Sequence, residues 1–475
     1  MSRVINQKDN FSANFGSVFR SSGIFYCPGN LKTTLSVMNY FKEKNFTDVA
    51  GVISKRSLSG KLITRQTFDF SQSNVKNFVF SGTDEFAVEI EFFSNKNLRI
   101  PYAAIMAFYE SKDCVSVIHN YGRNHSLYEL EDGIALLNGR ETCWFVSDSS
   151  RLSVNEFLAV FHNGHTETPA QDFNFKVTQT GRQDILIVGK MPKLSPFETY
   201  MFKLHEILNG FVEKIGAGAV WFRLEFESES SFPRLLLIEK SSDGEFQVTH
   251  SDLDYEIVQT NSIDEGIGYT KIPNIMQKVR EPILEIDPGY PQDAKIVMSA
   301  NLDDKISLGN GGYCRLEKIN TIRFNELNGK LPSRIHTALS GFFKEDSMVP
   351  FRSCLGIVHK ERPPKHTHWL PFYLKYTPTV EFTVYDEIYQ SIPSIIEVKF
   401  KVYSPNSLQI FECNIAYQNL EDVPHTFPLT SIISETGAKI ETDEPYYVLI
   451  NSNYGGFFVF VSHTSDQSIS IEHTF

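Results

Sequence analysis

Three stretches of this 475-residue chain follow one pattern without a gap: Val88 to Ile100 (V-E-I-E-F-F-S-N-K-N-L-R-I), Phe222 to Arg234 (F-R-L-E-F-E-S-E-S-S-F-P-R) and Val398 to Ile410 (V-K-F-K-V-Y-S-P-N-S-L-Q-I). Each alternates apolar and charged residues into a serine (Ser94, Ser228, Ser404), crosses polar turn residues and reaches a large apolar side chain (Leu98, Phe232, Leu408). Period-two alternation marks a strand with one face buried and one wet. Each stretch therefore reads as one strand and turn of a repeated unit, and a repeat constrains architecture before any motif does.

The likeness continues on both sides. Glu141-Thr142-Cys143-Trp144-Phe145-Val146, Glu281-Pro282-Ile283-Leu284-Glu285-Ile286 and Glu444-Pro445-Tyr446-Tyr447-Val448-Leu449 follow the serines as apolar strands opened by glutamate. Upstream, Tyr40-Phe41-Lys42-Glu43 answers Phe342-Phe343-Lys344-Glu345, and Gly51-Val52-Ile53 answers Gly356-Ile357-Val358. In the middle copy, apolar residues between Glu198 and Lys214 (Tyr200, Met201, Leu204, Ile207, Leu208, Phe211) carry helical spacing, so a helix is expected there.

These matches predict an all-β chain of three tandem, internally duplicated, antiparallel β-sandwich domains with at most short helices. The expected divisions are a polar arm at 1–15, then repeats at 16–168, 169–312 and 313–475, the middle one the most diverged. Length agrees, since a prior of about 150 residues per domain gives about three. The 39 phenylalanines and 20 tyrosines supply core, and short alternating runs broken by turn residues favour antiparallel sandwiches over βαβ units. Linkers are expected at Asn163 to Pro169 and at Gly309 to Gly312, where turn residues cluster.

No run of eighteen apolar residues predicts a membrane span, and Met1 to Asn14 lacks the apolar core of a signal peptide, which points to a cytoplasmic protein. A net charge of −12 without a basic cluster argues against duplex nucleic acid as partner. Cys27, Cys114, Cys143, Cys314, Cys354 and Cys413 form no C-x-x-C pair and read as reduced, mostly buried thiols, with Cys143 and Cys413 inside strands.

Two groups of histidines stand out. His125-Ser126, His250-Ser251 and His425-Thr426 recur after the serine strands, which favours a structural role in which the imidazole bonds a loop backbone. The alternative is convergence of the three rings on a pseudo-threefold axis as a metal or anion site. The second group lies only in the third repeat, Arg362-Pro363-Pro364-Lys365-His366-Thr367-His368-Trp369. On a strand, His366 and His368 share a face, and H-x-H opens several β-barrel metal sites. His336, His359 and Glu381 are the candidate further ligands, though no cupin-like glutamate follows the pair. The same hairpin also suits a sugar or peptide, with the Trp369 ring as apolar platform and Arg362, Lys365, His366 and His368 as orienting groups. Trp144 and Trp221 sit in core-like strands. Arg123 in the Tyr121 to His125 loop either holds a carboxylate or pairs with Glu129 or Glu131.

There is no P-loop, G-x-G-x-x-G after a strand, G-x-S-x-G or H-E-x-x-H, whereas a spatial pair of glycosidase carboxylates is compatible with the 57 acidic residues. The leading expectation is a non-catalytic recognition or assembly protein with carbohydrate or another protein as partner, no cofactor, and Arg362, Lys365, His366, His368 and Trp369 as its contacts. The first alternative is an enzyme dependent on a divalent transition metal held by His336, His359, His366 and His368. The second is a structural component of a viral or surface assembly, in which oligomers form.

Overall fold

A computed structural model of the chain describes residues 19–45, 49–94, 105–121, 140–146, 148–179, 181–208, 210–228, 234–254, 267–287, 296–300, 304–308, 312–315, 321–326, 336–358, 361, 367–439 and 443–473. They form eight antiparallel sheets with two short α-helices. As expected, the fold is β-rich and antiparallel.

The sheets group into four units. Unit 1 holds β1 (Phe19–Cys27), β2 (Lys32–Met38), β3 (Ala50–Ser57), β4 (Leu62–Phe68), β5 (Val75–Phe80), β6 (Phe86–Ser94), β7 (Ile105–Glu110) and β8 (Val115–His119). Its sheets run β1-β6-β3-β4 and β5-β2-β7-β8. Unit 2 repeats that order with β9 (Arg140–Val146), β10 (Glu156–His162), β11 (Gln171–Thr178), β12 (Ile185–Met191), β13 (Thr199–Lys203), β14 (Val220–Phe226), β15 (Leu236–Lys240) and β16 (Phe246–His250), adding β17 (Asp252–Asp254) beside β9.

Unit 3 does so with β18 (Ile267–Lys271), β19 (Arg280–Asp287), β20 (Ile296–Ala300), β21 (Asp304–Leu308), β22 (Gly312–Arg315), β23 (Thr321–Glu326), β24 (His336–Phe342) and β25 (Phe351–Cys354). Unit 4 follows with β26 (Thr367–Phe372), β27 (Thr379–Val384), β28 (Ile396–Tyr403), β29 (Ile410–Tyr417), β30 (Thr426–Pro428), β31 (Tyr446–Ser452), β32 (Phe457–Thr464) and β33 (Ile469–His473). In each unit one sheet joins the first, sixth, third and fourth strands and the other joins the fifth, second, seventh and eighth.

Each pair of sheets encloses its own apolar core, as alternation requires: Val88, Ile90 and Phe92 in unit 1, Phe175, Phe222 and Leu224 in unit 2, Leu284, Phe324 and Leu339 in unit 3, and Val398, Phe400 and Val402 in unit 4. The count is thus four sandwiches where the sequence pattern suggested three. Residue 168 falls between β10 and β11 inside unit 2, and residue 312 opens β22 inside unit 3.

The expected linker at Asn163 to Pro169 is a wound loop of unit 2. The Asn163 side chain donates to the Thr166 and Ser195 carbonyls, at 3.0 and 2.8 Å, and accepts from the Thr168 hydroxyl at 2.7 Å. Residues 309–311 and the arm at 1–15 lie outside the described residues.

The expected helix in 198–214 begins instead as β13, continues as a single turn, α1 (Leu204–Ile207), and ends in a 3-10 turn at Val212–Lys214. The longer helix, α2 (Leu429–Thr436), buries Leu429, Ile432 and Ile433 on unit 4 and stops where Gly437 turns left-handed at φ 69°. In both β3–β4 and β11–β12 an aromatic ring lies over a cross-strand glycine, Phe68 over Gly51 and Phe173 over Gly189.

Candidate functional site

The eighth strands of the four units meet. β8 packs against β16 and β33, and β25 packs against β16 and β33, so the units close into a ring in chain order. Alternate polar side chains of these strands bond the main chain of a neighbour. Ser470 Oγ of β33 accepts from Val117 N at 2.9 Å and donates to Val117 O at 3.4 Å, and Ser468, just before β33, treats Val115 the same way at 2.8 and 3.0 Å. Ser116 of β8 does this for Val248 of β16, at 3.0 Å from the amide and 3.1 Å to the carbonyl. Gln247 of β16 donates to Arg352 O of β25 at 3.4 Å. Short hydroxyls thus satisfy main-chain groups that no ladder partner reaches.

The apolar residues of the same strands cross into neighbouring cores. Phe246 and Val248 of unit 2 join the core of unit 1, and Ile469 and Ile471 of unit 4 join that of unit 3. Val115 and Val117 face a shared cluster with Trp369, Tyr373, Tyr447 and Leu449 of unit 4.

Three of the strands end in histidine, and the rings meet. His119 lies edge-on to His250 with centroids 4.6 Å apart and to His473 at 5.5 Å. Its Nδ1 is 3.3 Å from Glu472 Oε2. His250 Nδ1 bonds the Ser251 carbonyl at 3.0 Å. Burial, followed by the nearby His250, His473 and Arg234, holds His119 far below the usual imidazole range. Burial alone lifts Glu472 far above the usual carboxylate range. Each shift favours the uncharged form of its group, as burial away from water does for any ionisable side chain. Beside them β25 ends on Cys354, whose thiol burial pushes up to about 11.

From this junction a polar seam runs between units 2 and 3. Arg151 Nη1 contacts both Glu239 oxygens at 2.7 and 2.6 Å, and Asn155 adds a bond at 2.7 Å. Arg352 Nε donates to Glu285 at 2.8 Å, and Ser340 donates to the same carboxylate at 2.7 Å. The two pairs flank a cavity of about 40 Å³, room for about three waters. Both carboxyls are raised by burial, against the arginines.

Of the predicted contact residues, the structure describes His368 and Trp369. His359, Arg362, Lys365 and His366 lie outside the described residues, and of His336 only its place at the start of β24, opposite Asp287, is described. His368 and Trp369 are on β26, each 4% exposed, and point to opposite faces. His368 packs near Phe458, with centroids 6.2 Å apart. Trp369 is sealed between units 1 and 4, its ring 6.5 Å from Tyr40 and 6.0 Å from Tyr447. The ring expected as a ligand platform is covered because unit 1 closes on that face of the sheet.

Glu381, the candidate further ligand, instead accepts from the main-chain N–H groups of Asn274 and Ile275 of unit 3, the latter at 2.9 Å. Burial pushes it up to about 7, opposed by those two bonds. Among the described residues no group of three or more His, Cys, Asp or Glu is arranged to hold a metal ion.

Of the recurring histidine pairs, His250 behaves as expected in bonding a loop carbonyl. His425 is exposed, and His125, like Arg123, lies outside the described residues. Convergence of imidazoles does occur, but it is centred on His119, which meets His250 and His473; neither His119 nor His473 stood out in the sequence. The signal was present in V-S-V-I-H, F-Q-V-T-H and I-S-I-E-H, three five-residue strands alternating into a terminal histidine. Trp144 and Trp221 are buried as expected. Cys27 and Cys114 are buried free thiols, whereas Cys354 and Cys413 are half-buried. The side chains of Cys143 and Cys314 lie outside the described set.

No family model matches the chain, and no curated protein matches it significantly. Among the described residues, no helix is long and apolar enough to cross a membrane.

Proposed function

We propose that the chain is a non-catalytic recognition or assembly protein that binds another protein. The observation that carries this reading is the ring of side-chain to main-chain bonds among the eighth strands, because it fixes four sandwiches in one arrangement. Fixed geometry lets several surfaces engage a partner without a further ordering cost. A protein partner is favoured over carbohydrate, since the aromatic ring best suited to stack on a sugar is buried between units.

The outer strand β12 offers a contact surface. It exposes Leu186 and Val188 at 71% and 65% on one face, beside Lys190. The test is quantitative co-purification from a native extract, comparing wild type with Leu186→Asp/Val188→Asp, together with sedimentation velocity. A stoichiometric protein lost in the variant supports the reading. A wild type that retains nothing above background and sediments as one species at every concentration overturns it.

A further inference from the structure

We propose that unit 1 is an acid-released element: protonation of the histidines packed along its boundaries detaches it from units 2 and 4 while the sandwiches stay folded.

The histidines are placed for this. His119 belongs to unit 1, and His250 from unit 2 and His473 from unit 4 lie against it. His162 of unit 2 takes the Tyr121 hydroxyl at 2.6 Å on Nε2 and bonds Thr199 Oγ1 at 3.0 Å through Nδ1. His463 of unit 4 packs edge-on to Phe108 of unit 1 at 5.5 Å and accepts from Tyr373 N at 3.2 Å. Every one of these five rings meets a boundary of unit 1.

Burial holds His162 and His463 down to about 3. On opening, each ring returns to water and to a value near 6.5. A histidine that ionises only when open makes opening about thirty-fold more favourable at pH 5 than in its neutral range. His162 and His463 together give about a thousand-fold on the same arithmetic.

The facing charges set the net sign. At the junction Arg234 adds positive charge that opposes a protonated His119, and Cys354, with Arg352 nearby, stays neutral across this range. Glu472 works the other way, because burial favours its protonated form when closed, so the proton it loses on opening offsets part of the gain from the histidines. On the face shared with unit 4, burial pushes Glu110 and Glu43 up, but bonds from tyrosine and lysine outweigh it and leave both below their ordinary values. Acid therefore weakens those bonds too, at lower pH. The boundaries of unit 3 have the opposite sense: Glu239, Glu285 and Glu381 are raised by burial and favour the closed form as protons are added. Acid thus frees unit 1 alone.

Hydrogen exchange of the wild-type protein from pH 7.5 to 5, corrected for the intrinsic chemical rate, tests this with small-angle scattering and far-UV circular dichroism in parallel. Expected are a loss of protection in β8 of a hundred-fold or more, unchanged protection in β14 and β28, a larger radius of gyration and a constant β signal. His162→Gln/His463→Gln should move the transition to lower pH. If that variant does not fold, the wild-type exchange pattern decides alone. Protection of β8 unchanged at pH 5, loss in all units together, earlier loss in unit 3, or a folded variant opening at the wild-type pH would each overturn the proposal.

Discussion

Replacing Tyr121 with phenylalanine removes one oxygen from a relay that joins units 1 and 2. The Tyr26 amide donates to the Tyr121 hydroxyl at 3.1 Å, that hydroxyl donates to His162 Nε2 at 2.6 Å, and His162 Nδ1 donates to Thr199 at 3.0 Å. Tyr26, Tyr121 and His162 are no more than 3% exposed, so water cannot substitute. The variant strands two buried groups, the Tyr26 N–H and His162 Nε2. The other imidazole tautomer gives no relief, because it would bury an Nε2–H instead.

At about 1–3 kcal/mol for each stranded group, and allowing for relaxation, the loss is about 2–4 kcal/mol. Four packed units need not unfold in one step, so a local readout is required. Exchange of the amides in β1 and β10 at pH 7.5 should accelerate by roughly thirty- to several-hundred-fold, at a factor of ten per 1.4 kcal/mol. Thr199→Val should couple to Tyr121→Phe in a double-mutant cycle, since both act on one ring. Acceleration below about three-fold in both strands would refute the idea that this relay is dry and shared.

Three further outcomes are expected. Trp369→Ala should cost about 3–5 kcal/mol by leaving a cavity between units 1 and 4, seen as faster exchange in β26 and β2, and a variant as stable as wild type would contradict the packing. Gly51→Ala should cost about 1–3 kcal/mol, since the new Cβ would sit 2.2 Å from the Phe68 ring, and calorimetry should show a lowered transition. Glu381, raised to about 7, stabilises the boundary of units 3 and 4 fully below its free value of about 4.3 and progressively less as pH rises toward 7. Glu381→Gln should therefore flatten the pH dependence of exchange in Asn274–Lys278 over that window, and an unchanged slope would assign it to other groups.

The β class was legible in the sequence because alternation is local: V-E-I-E-F and V-K-F-K-V each say that a strand is half buried. They say nothing about where the strand sits in a sheet. Val88 and Phe222 lie in β6 and β14, the sixth strands of units 1 and 2, but Val398 lies in β28, the third strand of unit 4. The glutamate strands mix first, second and sixth positions, so the likeness was one of strand type and hid the fourth unit. Reading Trp369 as a ligand platform failed for the same reason. Spacing placed His366 and His368 on one face, whereas whether Trp369 is wet depends on unit 1, hundreds of residues away. The rings that do meet end three distant strands, and only the ring of units makes that spacing meaningful.

Each eighth strand is also the edge of its sheet. An edge presents unpaired main-chain groups, and one with alternating apolar residues is a template for pairing with another chain. Gathering β8, β16, β25 and β33 at one junction hides four such edges at once, using serine hydroxyls where a barrel would use ladder closure. During synthesis β33 emerges after the other three, so the sides of β8 and β25 that it covers wait exposed until it arrives. A single sandwich cut from the molecule, or a unit 1 set free, would therefore carry an adhesive strand into solution.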